Sequence, residues 1–376
     1  DDTVYGFSKG LSSSAKVILT NVPENLQVLA QSQAQQVIIR NDITVENLEQ
    51  AVNEYTDGLG FDDVVVLAPK SAKALTTIAK YVARRGTMNM VGKQPLDGLV
   101  DADVGRLHYD YIAFVGTNGT DIAASYGEAR NRCELHPNGT AVFIGAGGPM
   151  GQMHVQRAIE LPNGPKQIIA TEINDNRLET IAERFAPLAK KNGRTLLTFN
   201  PLSSDESLHD FVMAATDGIG ADDVVVSVPV APLMAESDTV MNENGMLVLF
   251  AGVPNGTMAP LNLSNVYLHN AQYTGTSGLT IDDQRDVMAR MLAGTLSPSR
   301  SVAAIGGMNA AQDGVVAMMD GRYPGKIVIF PQIENLPLMG LDELHEKLPD
   351  VAQHLGENDA WTDEAEAALI EMFWDA

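Results

Sequence analysis

Four glycines and one glutamate near the middle of this chain have the types and spacing to hold a diphosphate and a sugar. Ala141-Val-Phe-Ile runs into Gly145-Ala-Gly147-Gly148-Pro149-Met150-Gly151, and an amphipathic stretch from Gln152 to Leu161 follows. The order is strand, tight turn, helix. Anion binding at such a turn is main-chain chemistry. A side chain would hold a diphosphate away from the N–H groups at the helix start, where the helix dipole also favours negative charge. Downstream, Gln167-Ile-Ile-Ala-Thr-Glu172 reads as the next strand and ends on a carboxylate. A carboxylate at that place can accept both ribose hydroxyls of an adenosine. The spacing of Gly145, Gly147 and Gly151 is G-x-G-x-x-x-G, one residue longer than the strict dinucleotide fingerprint. The assignment therefore rests on the flanking strand, the helix and Glu172. The alternative is a glycine-rich turn in a Rossmann-like domain that has lost its ligand.

The rest of the composition narrows the partners. The chain has 376 residues, 45% hydrophobic and 19% charged, with a formal net charge of −23. A surface that negative repels phosphate backbones, so nucleic acid is excluded as a general partner, while a local basic site for one small phosphate remains open. The single cysteine, Cys133, rules out an internal disulfide and a multi-cysteine zinc site. No charged-then-apolar leader and no long apolar run are present, so the expectation is a soluble, cytoplasmic protein with no membrane partner.

The elements that must position the turn alternate. Strands are expected near 16–21, 37–39, 61–67, 87–91 and 111–115. Helices are expected over 24–33, 45–55, 71–84 and 120–135, the last leading into the glycine turn. This alternation implies an α/β fold with doubly wound parallel sheets. The pattern then repeats. Thr56-Asp-Gly-Leu-Gly-Phe-Asp-Asp-Val-Val-Val66 returns as Thr216-Asp-Gly-Ile-Gly-Ala-Asp-Asp-Val-Val-Val226, 160 residues on. Gly86–Gly92 matches Gly245–Gly252, and Phe114–Gly119 matches Tyr273–Gly278, in the same order. Lys16-Val-Ile-Leu aligns with Lys166-Gln-Ile-Ile. The first repeat thus starts at its second strand and lacks a glycine turn, either because the chain is a fragment or because that sheet is shortened. It should not bind a dinucleotide by the usual turn. The expected divisions are 1–135, an incomplete Rossmann-like repeat; 136–295, the nucleotide-binding Rossmann domain; 296–335, a returning segment; and 336–376, an acidic tail with helices over 341–355 and 362–373. That tail is either an interface element or an appendage packed on its own domain.

Residues 139–330 resemble the medium-chain dehydrogenase/reductase superfamily, the zinc-type alcohol and polyol dehydrogenases. The resemblance is carried by Gly-Gly-Pro-Met-Gly followed by Gln-Met-His, and by the closing stretch Ile305-Gly-Gly-Met through Met318-Met-Asp-Gly-Arg-Tyr-Pro-Gly-Lys-Ile-Val-Ile-Phe-Pro331. The branch it looks most similar to is the L-sorbose 1-phosphate reductase-like one. The resemblance implies hydride transfer between a nicotinamide and an alcohol, polyol or sugar phosphate. It implies Gly145, Gly147, Gly148, Pro149, Met150 and Gly151 on the pyrophosphate and Glu172 on the adenosine ribose, favouring NAD. Arg177 would stack on adenine or accept a phosphate, which leaves NADP open. Gly252, Val253, Gly275, Thr276 and Ser277 would end strands near the nicotinamide. Zinc is expected for the family, but its N-terminal β-rich zinc domain has no counterpart here. Cys133 and His136 have C-x-x-H spacing without a second pair. His154 reads as a packing or surface histidine, and His108 and His269 hold neighbouring places in the two repeats. No catalytic residue is assigned. A homo-oligomer is expected by analogy. The competing reading is a non-catalytic dinucleotide-binding or scaffold protein built on duplicated sheets.

Overall fold

The computed structural model describes residues 3–13, 15–127, 132–275 and 277–374. The fold is mixed α/β with parallel sheets and a helical C-terminal region. By internal contacts the chain forms two compact units, Asp1–Leu135 with His209–Gly278, and His136–Leu208 with Leu279–Ala376.

The first unit contains two three-stranded parallel arrays of the same design. Phe61–Leu67, Val82–Val91 and Ala113–Thr117 form one. Ala221–Val226, Met241–Leu249 and Gln272–Thr274 form the other. The repeated Thr-Asp-Gly-x-Gly stretch explains the identical entry into each. Asp57 and Asp217 take left-handed φ of 52° and 53°, and Gly60 and Gly220 take 91° and 89°. The Thr hydroxyls donate back to Val52 O and Val212 O (2.6 and 2.7 Å) and accept from the N–H of Gly60 and Gly220 (3.1 and 3.0 Å). Both arrays then carry a register shift at the same place, between Phe61 and Asp63 and between Ala221 and Asp223. Lys16–Leu19 pairs in parallel with Gln36–Ile39, as a separate two-stranded ribbon.

The two copies grip each other inside this unit. Val100–Asp103 pairs antiparallel with Met258–Leu261. Each strand leads, directly or within two residues, into a short helix, Val104–Tyr109 and Ser264–Leu268, that crosses onto the other copy. From the first copy, the His108 ring Nδ1 lies 3.1 Å from Leu249 O, and the Tyr111 hydroxyl donates to Ser277 O at 2.5 Å. From the second, the Tyr267 hydroxyl donates to Gln94 O, and Ser264 Oγ accepts from Leu96 N. Asn118 of the first copy also donates to Leu268 O. None of these four short elements is visible as an amphipathic period, and the strand–helix alternation points to none of them.

The second unit holds the parallel array Thr140–Ile144, Gln167–Thr171 and Thr195–Phe199, with helices Pro149–Glu160 and Asp175–Lys191. Val302–Gly307 pairs in parallel with Lys326–Phe330 and antiparallel with Met339–Gly340. The tail packs on this small sheet: Trp361, Ala365 and Leu369 share one buried cluster with Ile305 and Phe330. It is an appendage on its own unit.

Three expected helices differ. The one expected over 341–355 breaks at Pro349, whose missing N–H and fixed φ divide it into Leu344–Lys347 and Pro349–Ala352. The one expected over 71–84 stops at Ala79, and Val82 already pairs with Phe61. Of the one expected over 120–135, a 3₁₀ turn Ile122–Ser125 is present, 128–131 lie outside the described residues, and Arg132 lies outside any helix or strand, with two hydrogen bonds to the Gln272 amide.

Gly116 lies where Tyr267 of the other copy crosses: a Cβ there would stand 2.5 Å from Tyr267 Cβ and 2.6 Å from Met90 O. Gly116→Ala should therefore cost about 1–3 kcal/mol by overpacking, seen as a lower midpoint in urea unfolding. An unchanged midpoint would show that the two copies do not meet here.

Candidate functional site: a glycine turn and a buried carboxylate

The strand Thr140–Ile144 is buried along its last four residues and delivers the chain into Gly145, whose φ is +76°. The N–H groups of Gly145 and Ala146 donate to Thr171 O, at 3.1 and 2.9 Å, which ties the turn to the neighbouring strand. Gly151 allows the helix start to press on that turn, since a Cβ there would run into Gly145 O and stand 2.7 Å from Ala146 Cα. Gly148 is the N-cap of helix Pro149–Glu160. No side chain caps this helix, and Pro149 occupies its first turn. Nothing lies closer than 4.0 Å to where a Gly148 side chain would begin. The helix start is open for an anion, in the arrangement that suits a diphosphate.

Glu172 is 7% exposed. Its Oε2 accepts from Gly147 N at 3.0 Å, and its Oε1 accepts from Ile173 N and Asn174 N at 2.9 and 3.1 Å. A carboxylate offers about four acceptor positions. Three are filled by main chain, so one is left for a ribose hydroxyl, and taking two would require release of Gly147. A Cβ on residue 147 would overlap this carboxylate. Glycine is needed at 147 for Glu172 to reach the turn, as well as for an anion to approach it.

Two residues that the motif did not point to complete this end of the unit. Gln152, 1% exposed, donates to Gly147 O and Pro324 O (3.0 and 2.5 Å) and accepts from Arg184 Nη1 (3.1 Å). Lys326 Nζ lies 3.2 Å from Met150 Sδ in the helix's first turn. The available signals were a polar residue on the buried stripe of an amphipathic helix, and a lysine at the head of a late strand. Arg177 has its side chain beside Gly321, and its N–H donates to the Asn174 side chain that caps helix Asp175–Lys191.

The remaining expected residues lie in the first unit. Gly252 is packed under Tyr109 and His108, and Gly275 under His108 and Leu249 O, so a side chain at either would strike the crossing helix. Val253 is buried, and Ser277 O accepts from Tyr111. Thr276 lies outside the described residues. Close packing is a sufficient reason for glycine at 252 and 275.

Among the described residues no three or more His, Cys, Asp or Glu side chains gather to hold a metal ion, and Cys133 is exposed. The residues present do not fit a zinc site. His154 stacks on Phe143 with ring centroids 6.4 Å apart. Burial first, and the Arg157 charge second, hold its pKa down to about 4. It is neutral in the folded protein, whereas the unfolded chain takes up its proton near pH 6.5. Between those values the unfolded state binds more protons, so stability falls on acidification, by about 3 kcal/mol once both states are protonated. His154→Asn should flatten the dependence of the unfolding midpoint on pH between about 6.5 and 4. An unaltered slope would assign the acid sensitivity elsewhere.

The chain matches the zinc-binding dehydrogenase family over residues 149–293. It is 30% identical over 250 residues to mannitol-1-phosphate 5-dehydrogenase of Aliivibrio fischeri, covering 64% of this chain and 58% of that protein. It is 31% identical over 239 residues to L-sorbose 1-phosphate reductase of Klebsiella pneumoniae, covering 63% and 56%. The matched region is little more than half the length of these curated relatives. Among solved structures, alcohol dehydrogenase TADH from Thermus sp. ATN1 aligns with a TM-score of 0.41 and 21% identity, over 52% of this chain and 54% of that one. The family match begins at the glycine-turn helix, and over this region the chain is similar to zinc-binding dehydrogenases and to the two sugar-phosphate enzymes.

Proposed function

We propose that this chain is the nucleotide-holding part of a cytoplasmic oxidoreductase that moves a hydride between NAD and a carbinol of a polyol or sugar phosphate. One observation carries the cofactor half of the reading: an uncapped helix start, free of side chains at Gly148, with a buried carboxylate bonded across the turn at Gly147. The bound nicotinamide supplies the hydride acceptor or donor. The chain's own part is to bind and orient it. Main-chain N–H groups of Gly148, Met150 and Gly151 meet the diphosphate, and the Lys326 ammonium beside Met150 adds a compensating charge. Glu172 takes a ribose hydroxyl and repels a 2′-phosphate, which favours NAD over NADP. Arg177, five residues further on, is the group that would serve a 2′-phosphate if NADP were used.

The substrate half rests on the relatives, whose names specify mannitol 1-phosphate and L-sorbose 1-phosphate. Zinc belongs to the family match by name, but no ligand set for it is found among the described residues, so no step is routed through a metal. Assembly into a homo-oligomer is part of this reading by analogy with symmetric enzymes of similar build.

Isothermal calorimetry with NADH and NADPH tests the cofactor half. NADH should bind more tightly than NADPH. Glu172→Ala should weaken NADH about tenfold, a loss of roughly 1.4 kcal/mol, and narrow the gap to NADPH. Absence of heat with both cofactors would remove the dehydrogenase reading for this chain.

A further inference from the structure

A cavity of about 380 Å³ lies wholly within the second unit, between helix Asp175–Lys191 and the small C-terminal sheet with its tail. Its wall carries three arginines, Arg184, Arg300 and Arg322, in a chain whose net charge is −23. None of the three forms an ion pair with a carboxylate among the described residues. Arg184 is half-buried, and burial is the one resolved influence on its proton affinity, which it lowers. A guanidinium has five N–H donors, yet Arg184 makes a single side-chain hydrogen bond, to Gln152 Oε1. Arg300 is half-buried too, and makes no side-chain hydrogen bond among the described residues. A buried cation left without an anion is costly, and planar guanidinium forks suit phosphate oxygens.

The same wall carries carboxylates, and their state decides what the cavity can hold. Glu343 is engaged by the Lys347 ammonium and by Gly340 N. Asp359 is engaged by the His345 ring at 2.8 Å. Asp342 and Glu357 remain, and both are exposed, as is Arg322. The drier wall is therefore positive, and the wetter rim presents carboxylates that can accept hydroxyl donors. An ionised carboxylate accepts but cannot donate, so the rim favours a chain with several hydroxyl donors over a phosphate dianion with a single P–OH.

We infer that this cavity is a binding site for a phosphorylated polyol, its phosphate on Arg184 and Arg300 and its hydroxyls on Asp342 and Glu357. The site is separate from the glycine turn and stands whether or not that turn holds a dinucleotide. It touches the turn through one residue: Gln152 accepts from Arg184 and donates to Gly147 O.

The test is calorimetric titration of the full chain with glycerol 1-phosphate, inorganic phosphate and glycerol, each alone. Glycerol 1-phosphate should bind most tightly. Arg184→Gln and Arg300→Gln should each weaken it at least tenfold, and Asp342→Asn with Glu357→Gln should reduce its advantage over inorganic phosphate. Arg300→Gln removes no described side-chain hydrogen bond, so it remains informative if Arg184→Gln fails to fold. Equal affinity for inorganic phosphate and glycerol 1-phosphate would overturn the polyol assignment. Lack of saturable heat, or binding unaltered by Arg300→Gln, would overturn the site itself. NADH titrated into the same samples separates the two proposals: NADH heat without glycerol 1-phosphate heat sinks this one alone, and the converse sinks the cofactor reading alone.

Discussion

The interaction on which the candidate cofactor site depends is the contact between the Glu172 carboxylate and the main chain of the turn. Glu172 sits at the end of one parallel strand and reaches the N–H of Gly147 at the end of the next. A charged group that is nearly buried must be hydrogen-bonded to be tolerated. Here three main-chain donors satisfy it. The same bonds fix the glycine turn, because Gly147 cannot move without leaving part of the carboxylate unpaired. The turn is thus preorganised by the very residue expected to receive the sugar, and preorganisation lowers the ordering cost that binding must overcome.

Glycine serves different ends in the two units. At 147, 148 and 151 it clears the way for a carboxylate, an anion and a neighbouring stretch of chain. At 116 and 275 it admits the crossing helix of the opposite copy, and at 60 and 220 it supplies a left-handed φ. In each case a Cβ or a restricted φ would forbid what is observed. The duplication explains why the latter pairs recur about 160 residues apart. Close approach between the copies accounts for glycine at 116 and 275, and the left-handed φ accounts for it at 60 and 220.

Charge is distributed against the average. A chain this acidic keeps itself apart from polyanions at long range, yet in the second unit Lys326 meets the first turn of the glycine helix, and Arg184 and Arg300 face a cavity without an ion pair to a carboxylate among the described residues. Local cation placement of this kind decides what a small anion experiences at contact distance, since screening removes most of the remote charge beyond about 8–10 Å at physiological salt.

The sequence by itself determined the alternation of strands and helices, the duplication, and the glycine turn with its acid, because each is written in residues adjacent in the chain. Thr56-Asp-Gly and Thr216-Asp-Gly specify their own turns through local hydrogen bonds, and Gly145 through Gly151 specify a helix start without needing a distant partner. It did not determine the elements that exist through contact with remote chain. Val100–Asp103 and Met258–Leu261 are four residues each and are held as strands by one another. The stretch expected as a helix up to residue 135 is not helical where Gln272 holds Arg132 by both its amide groups. Nor could spacing show that Gln152, Arg184 and Lys326 converge on the turn and the cavity, since they come together only when helices pack on sheets. Local conformational preference is legible in order along the chain; which side chains share a site is decided by tertiary packing, where residues far apart in sequence satisfy each other's charge and hydrogen bonds.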